Sequence, residues 1–139
     1  MTKLNKDEFL AKLNDLKEKL GLTYVFITHD LSVVKHFSDE IMVMYLGEMV
    51  EKANVADLFD NPQHPYTKAL LSAIPVPSIK KKRERVILKG EITSPINPKA
   101  ACRFAPRCIY AVEKCFNEVP KKITLDGRHD VRCLRIGEI

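Results

Sequence analysis

Residues 24–31 read YVFITHDL, a run of β-forming residues that stops at Thr28, His29 and Asp30. Helical spacing follows at once, with Leu31, Val33, Val34 and Phe37 supplying an apolar surface. Because Thr23–Thr28 is continuously apolar rather than alternating, it predicts a strand covered on both faces, as in a parallel α/β sheet. Asp30 stands where a cap for the next helix belongs. His29 then falls at the carboxyl end of a strand, where open α/β sheets bind their ligands. The amides of the following helix add positive potential there, and a histidine in that place can donate a hydrogen bond to a phosphate oxygen. A turn histidine bonded to a neighbouring loop satisfies the same pattern.

Working outward, residues 5–20 predict an amphipathic helix. Asn5 and Glu8 form a capping-box-like pair, Phe9, Leu10, Leu13, Leu16 and Leu20 recur on one face, and Gly21 supplies the stop. Residues 40–46 (EIMVMYL) predict a second strand, Gly47 a turn, and Glu48–Glu51 a short third strand. Such an order is the tail of an α/β fold. Residues 54–60 (NVADLFD) predict a short capped helix. The stretch NPQHPYTKALLSAIP at 61–75 predicts another, with Pro65 in its first turn and Pro75 and Pro77 beyond its end. Residues 85–92 (RVILKGEI) predict a strand turned or bulged at Gly90. From Pro95 onward prolines, cysteines and charges replace apolar periodicity, and a boundary is expected near residue 78.

Composition narrows the function. With 139 residues, 45% hydrophobic and 29% charged, the chain is an ordinary globular domain with or without a small appendage. No apolar run approaches the roughly 18 residues of a membrane span, and the polar start MTKLNKDEFL is no signal peptide, which predicts a cytoplasmic protein. The formal charge is +5, with five basic residues in KKKRER at 80–85. No stacking aromatics interleave with this run, so it reads as a solvated linker and no nucleic-acid partner is expected.

Cys102, Cys108, Cys115 and Cys133 follow the spacing C-x5-C-x6-C-x17-C. Four thiols in a core-poor segment of a cytosolic chain point to a metal or cluster that supplies missing stability. Zinc sites favour tight C-x2–4-C pairs, whereas looser spacing suits thiolates spread around a larger iron–sulfur cube. Spacing alone leaves cluster, zinc and unliganded buried thiols open. His129, in DGRHD, reads as a surface turn residue, with a Cys3His zinc site as the alternative.

FITHDLSVVKHFSDEIMVMYLGEMVE resembles the region just beyond the Walker B motif in ATP-binding subunits of ABC transporters. HPYT within NPQHPYTKALLSAIP resembles an element of the oligopeptide/dipeptide importer subfamily. SPINPKAACRFAPRCIYAVEKCFNEVP with VRCL resembles that subfamily's C-terminal extension, although Ile109 stands where the family tends to have Pro. The likeness runs from about residue 10 onward, with the motifs in family order. It implies a switch-histidine role at the ATP γ-phosphate for His29, with Asp30 beside it, and places His64, Pro65 and Tyr66 on the subfamily element. It also implies that Cys102, Cys108, Cys115 and Cys133 hold a 4Fe–4S cluster, lost or replaced by zinc where oxygen intervenes.

The fold class implied is α/β: an incomplete C-terminal part of a P-loop ABC ATPase domain at 1–78, followed by a small irregular Cys-rich extension at 79–139. The five glycines form no G-x-x-x-x-G-K-[ST] loop, and no signature or Walker B motif occurs. The resemblance therefore implies ATP and Mg bound only in an intact subunit, with this chain alone not catalytic. Expected partners are a second ATP-binding subunit and membrane permease subunits that hold the protein at the inner face of the membrane. A bared sheet edge predicts a homodimer. A reading from another class is a stand-alone metal or iron–sulfur interaction module.

Overall fold

The computed structural model describes residues 5–74, 86–91, 94 and 96–139. The chain divides after Ser38 into two compact units. The boundary expected near residue 78 and the basic run at 80–85 lie outside the described residues.

The first unit holds α1 (Lys6–Leu20) and α2 (Leu31–Phe37). The Glu8 carboxylate accepts the Asn5 N–H at 3.4 Å, one half of a capping box. Gly21 ends α1 at φ +62, a left-handed conformation glycine adopts without a Cβ clash. The strand predicted at 23–28 is absent: these residues form no regular secondary structure and pair with no strand among those described. The Tyr24 and Phe26 rings lie 6.1 and 6.0 Å from Phe37, while Val25 and Ile27 are 90% and 93% exposed. A strand covered on both faces needs ladder partners on both sides, and a single chain segment cannot supply them.

The second unit, from Asp39 onward, is built on a four-stranded sheet in the order β1-β2-β4-β3. Its strands are β1 (Glu40–Tyr45), β2 (Glu48–Asn54), β3 (Ile123–Leu125) and β4 (His129–Val131). Every pairing is antiparallel, which corrects the expectation of a parallel sheet. Strand β1 alternates cleanly, with Ile41, Val43 and Tyr45 inward. Leu46 and Gly47, both at positive φ, form the two-residue turn into β2 that matches the twist of a hairpin. A bulge on β2 interrupts the register: Val43 faces Glu51 but Met44 faces Met49. Val50 is the extra residue, so Val50 and Glu51 are both buried although adjacent.

Helices α3 (Val55–Asp60) and α4 (Pro65–Ser72) follow where the sequence places them. Asn54 caps α3 by accepting the Asp57 N–H at 2.8 Å, and Leu58 is fully buried. Residues 86–91 form no strand, contrary to the sequence pattern. Val86 N–H instead donates to Ser72 Oγ at 3.1 Å, and Gly90 turns the chain at φ +62.

The cysteine-bearing segment is mostly irregular, with 3₁₀ turns at Ala105–Arg107 and Glu113–Phe116. It is not a separate appendage, because β3 and β4 complete the sheet begun by β1 and β2. Phe104 is the main anchor, 2% exposed, with its ring 5.2 Å from Tyr45, 5.3 Å from Tyr66 and 5.5 Å from His64. Its neighbour Arg103 donates to the Leu46 carbonyl and pairs with Glu48 at 3.0 Å. That contact steadies a leucine held in the left-handed region, a conformation costing about 1–2 kcal/mol.

Phe104→Ala removes the ring around which three aromatic side chains close. The expected loss is about 3–5 kcal/mol, read as a lower urea midpoint by circular dichroism.

Candidate functional site

Three groups carry chemistry, one in the first unit and two in the second. In the first, His29 is exposed, one residue before the cap of α2. Asp30 Oδ1 accepts the Ser32 N–H at 2.9 Å and the Ser32 hydroxyl at 2.5 Å, while Asp30 N–H donates to Thr28 Oγ1 at 3.0 Å. The capping role read for Asp30 is therefore present. It fixes the loop that presents His29 outward rather than into a core.

The second group centres on Glu51, whose side chain the β2 bulge turns inward and which is fully buried. Its Oε1 accepts the Gln63 N–H at 2.7 Å and lies 2.6 Å from His129 Nε2, and its Oε2 accepts the His64 N–H at 2.9 Å. Three polar partners from two segments, the chain entering α4 and strand β4, thus converge on one carboxyl group, as burial of a polar group requires. His129 is 6% exposed and lies on β4, which corrects its reading as a surface turn residue. Its Nε2 is engaged by Glu51, and among the described residues it belongs to no group of three side chains that could hold a metal ion.

His64 is the cap of α4: its Nδ1 accepts the Tyr66 N–H at 3.1 Å, and Pro65 follows at the first helical position. Burial, with 1% exposure, pushes the imidazole down to about 4, so the ring is neutral at physiological pH. HPYT is therefore a structural device made of a histidine cap, a proline start and two side chains packed behind them. The sequence gives the helix start directly. The carboxylate that orders it carries no local signal, since Glu51 looks like any polar residue on a short strand.

The third group is the four cysteines. Cys102 precedes the first 3₁₀ turn, Cys108 ends it, Cys115 lies in the second, and Cys133 follows β4. Cys102 N–H donates to the Cys115 carbonyl at 3.1 Å, drawing two of these segments together. Burial pushes the Cys102, Cys108 and Cys133 thiols up, and the charges of the neighbouring cysteines raise them further. Each of the four lies within electrostatic reach of the other three. Nearby backbone amides oppose the rise, those of Phe104 and Ala105 at Cys102, Tyr110 at Cys108 and Arg135 at Cys133, and the Arg135 N–H donates to the Cys133 sulfur at 3.4 Å. All four are free thiols.

Among the described residues, no three His, Cys, Asp or Glu side chains are set to hold a single metal ion. A zinc ion needs sulfurs at about 2.3 Å from one centre, whereas an iron–sulfur cube spreads its four thiolates apart. The four free thiols are the donor set that these loops offer to a metal or a cluster.

Residues 50–115 match the family described as the oligopeptide/dipeptide transporter, C-terminal region, spanning Glu51, the HPYT helix and three of the cysteines. Residues 50–115 carry the C-terminal region of that transporter family. The dipeptide transport ATP-binding protein DppF of Haemophilus influenzae is 57% identical over 113 residues, covering 81% of this chain and 35% of the relative. The oligopeptide transport ATP-binding protein AppF of Bacillus subtilis is 48% identical over 123 residues, 87% of this chain and 37% of its own length. OppF of Haemophilus influenzae is 43% identical over 126 residues, 89% and 38% respectively. The chain thus spans little more than a third of the curated relatives it matches, and it corresponds to the C-terminal part of such peptide-transporter ATP-binding proteins. No helix among the described residues of this transporter region is long and apolar enough to cross a membrane.

The His64 ring gives a test of this arrangement. Its folded pKa, about 4, lies below the ordinary 6.5, so the folded chain resists a proton that the unfolded chain accepts. The contribution is complete above pH 6.5 and declines as pH falls toward 4, by about 3 kcal/mol in all. His64→Asn keeps a capping side chain and removes this slope. Urea midpoints measured across that window fall less steeply in the variant than in the parent protein.

Proposed function

We propose that this chain forms the C-terminal part of the ATP-binding subunit that energises peptide import by an ABC transporter. The match of residues 50–115 to the transporter C-terminal region carries the reading. Residues 1–78 belong to the end of the nucleotide-binding domain and residues 79–139 to the transporter-type extension, the two joined through the shared sheet. In an intact subunit that also holds ATP and Mg, His29 is the switch histidine at the γ-phosphate. Its exposed position before the Asp30 cap supports this role. The partners are a second ATP-binding subunit and the permease subunits, which keep the protein at the cytoplasmic face of the membrane. Peptides are the transported solutes.

Cys102, Cys108, Cys115 and Cys133 hold a 4Fe–4S cluster in this reading. The mutual proximity of the thiols and the backbone amides near their sulfurs support it. When bound, the cluster cross-links loops that otherwise depend on short 3₁₀ turns, and it confers a redox-active centre.

Two measurements test these roles. His29→Ala in the full-length subunit abolishes ATP hydrolysis while leaving nucleotide binding; full hydrolysis in that variant rules out the switch role. Anaerobic purification yields about four iron and four sulfide per chain. A colourless protein with stoichiometric zinc rejects the cluster.

A further inference from the structure

Arg135 reaches across the cysteine group in a way its sequence position does not reveal. Its backbone N–H donates to Cys133 Sγ at 3.4 Å. Its guanidinium Nη1 donates to the Tyr110 carbonyl at 3.1 Å, and its Nε to the Glu138 carboxylate. Tyr110 lies two residues beyond Cys108, and its backbone amide opposes the rise of that thiol. One side chain therefore joins the Cys108 loop to the Cys133 loop, 25 residues apart between Tyr110 and Arg135. Its positive charge also lies close enough to favour the thiolates of both Cys108 and Cys133. The side chain is about three-quarters buried, with 25% exposure, and Glu138 holds the fork in orientation.

We propose that Arg135 is the positioning residue of the four-cysteine centre, clipping the Cys108 and Cys133 loops together so that their sulfurs face one bound cluster. The inference rests on the cluster reading given above. A thiolate-bound cluster carries net negative charge, and a guanidinium on its rim balances that charge while fixing the loops. Lysine keeps the charge but offers no planar fork able to engage Tyr110 and Glu138 together. The two properties are therefore separable by substitution.

The experiment uses the full chain, reconstituted anaerobically with iron and sulfide, as parent, R135K and R135Q. Loss of iron to a chelator is expected to quicken about 10- to 100-fold in both variants, as for other residues that orient metal ligands. The cluster midpoint potential becomes more negative in R135Q, where a neighbouring positive charge is gone. The urea midpoint of the metal-free protein stays at the parent value in both. Chelator release at the parent rate in R135K overturns the clip and leaves charge as sufficient. A lowered metal-free midpoint makes Arg135 an ordinary stabilising residue and also overturns it. If the parent takes up no iron and sulfide, the cluster reading and this inference fail together.

Discussion

The second unit depends on one buried carboxylate. Glu51 is fully enclosed, and a carboxyl group in that position is tolerated only because three polar partners are brought to it. The partners come from two parts of the architecture: the adjacent residues Gln63 and His64 at the entry to α4, and the strand contributed by the cysteine-bearing segment. Removing any of them leaves the carboxylate under-satisfied, so the helix, the hairpin and the added strand stand or fall together. The bulge at Val50 makes this possible, since it turns Glu51 inward beside a valine that is also inward, and the Val50 carbonyl receives the Arg132 N–H at 2.9 Å.

Around that polar centre the packing is aromatic. Phe104 lies among Tyr45, Tyr66 and His64, drawn from β1 and α4. The polar clamp and the aromatic contact act on the same two segments from different sides. Arg103 adds a third tie by holding the Leu46–Gly47 turn. The cysteine segment is thus welded to the hairpin and α4 before any metal is considered. A bound cluster would then act on a scaffold already in place.

The local elements were legible because their causes are local. Helices α1, α3 and α4 and the hairpin β1–β2 are written in caps, turn glycines and apolar spacing within a few residues. The strand expected at 23–28 was not, because ladder partners decide whether a β-forming run becomes a strand, and none pairs with it among the described residues. Strands β3 and β4 are only three residues each, too short for period-two alternation to register. Glu51 escaped because a bulge breaks the alternation from which an inward residue would be inferred. His129 escaped because its partner is 78 residues away. The cysteines were legible as a set, and the fold brings them near one another. Arg135 was not, since one more arginine in a basic chain carries no signal until its reach across two loops is known.

That separation of 78 residues between Glu51 and His129 governs the order of assembly. The β1–β2 hairpin and α4 can form while the chain is still being synthesised, but Glu51 lacks one of its three partners until residue 129 has been made. Closing so long a loop is slow relative to forming the hairpin, and the entropy is spent before the contact repays it. A ribosome-bound chain therefore carries an acid with two of its three partners and an incomplete sheet edge until residue 129 has emerged. It is in that interval, rather than in the finished fold, that the protein is most exposed to mispairing and to chaperone capture.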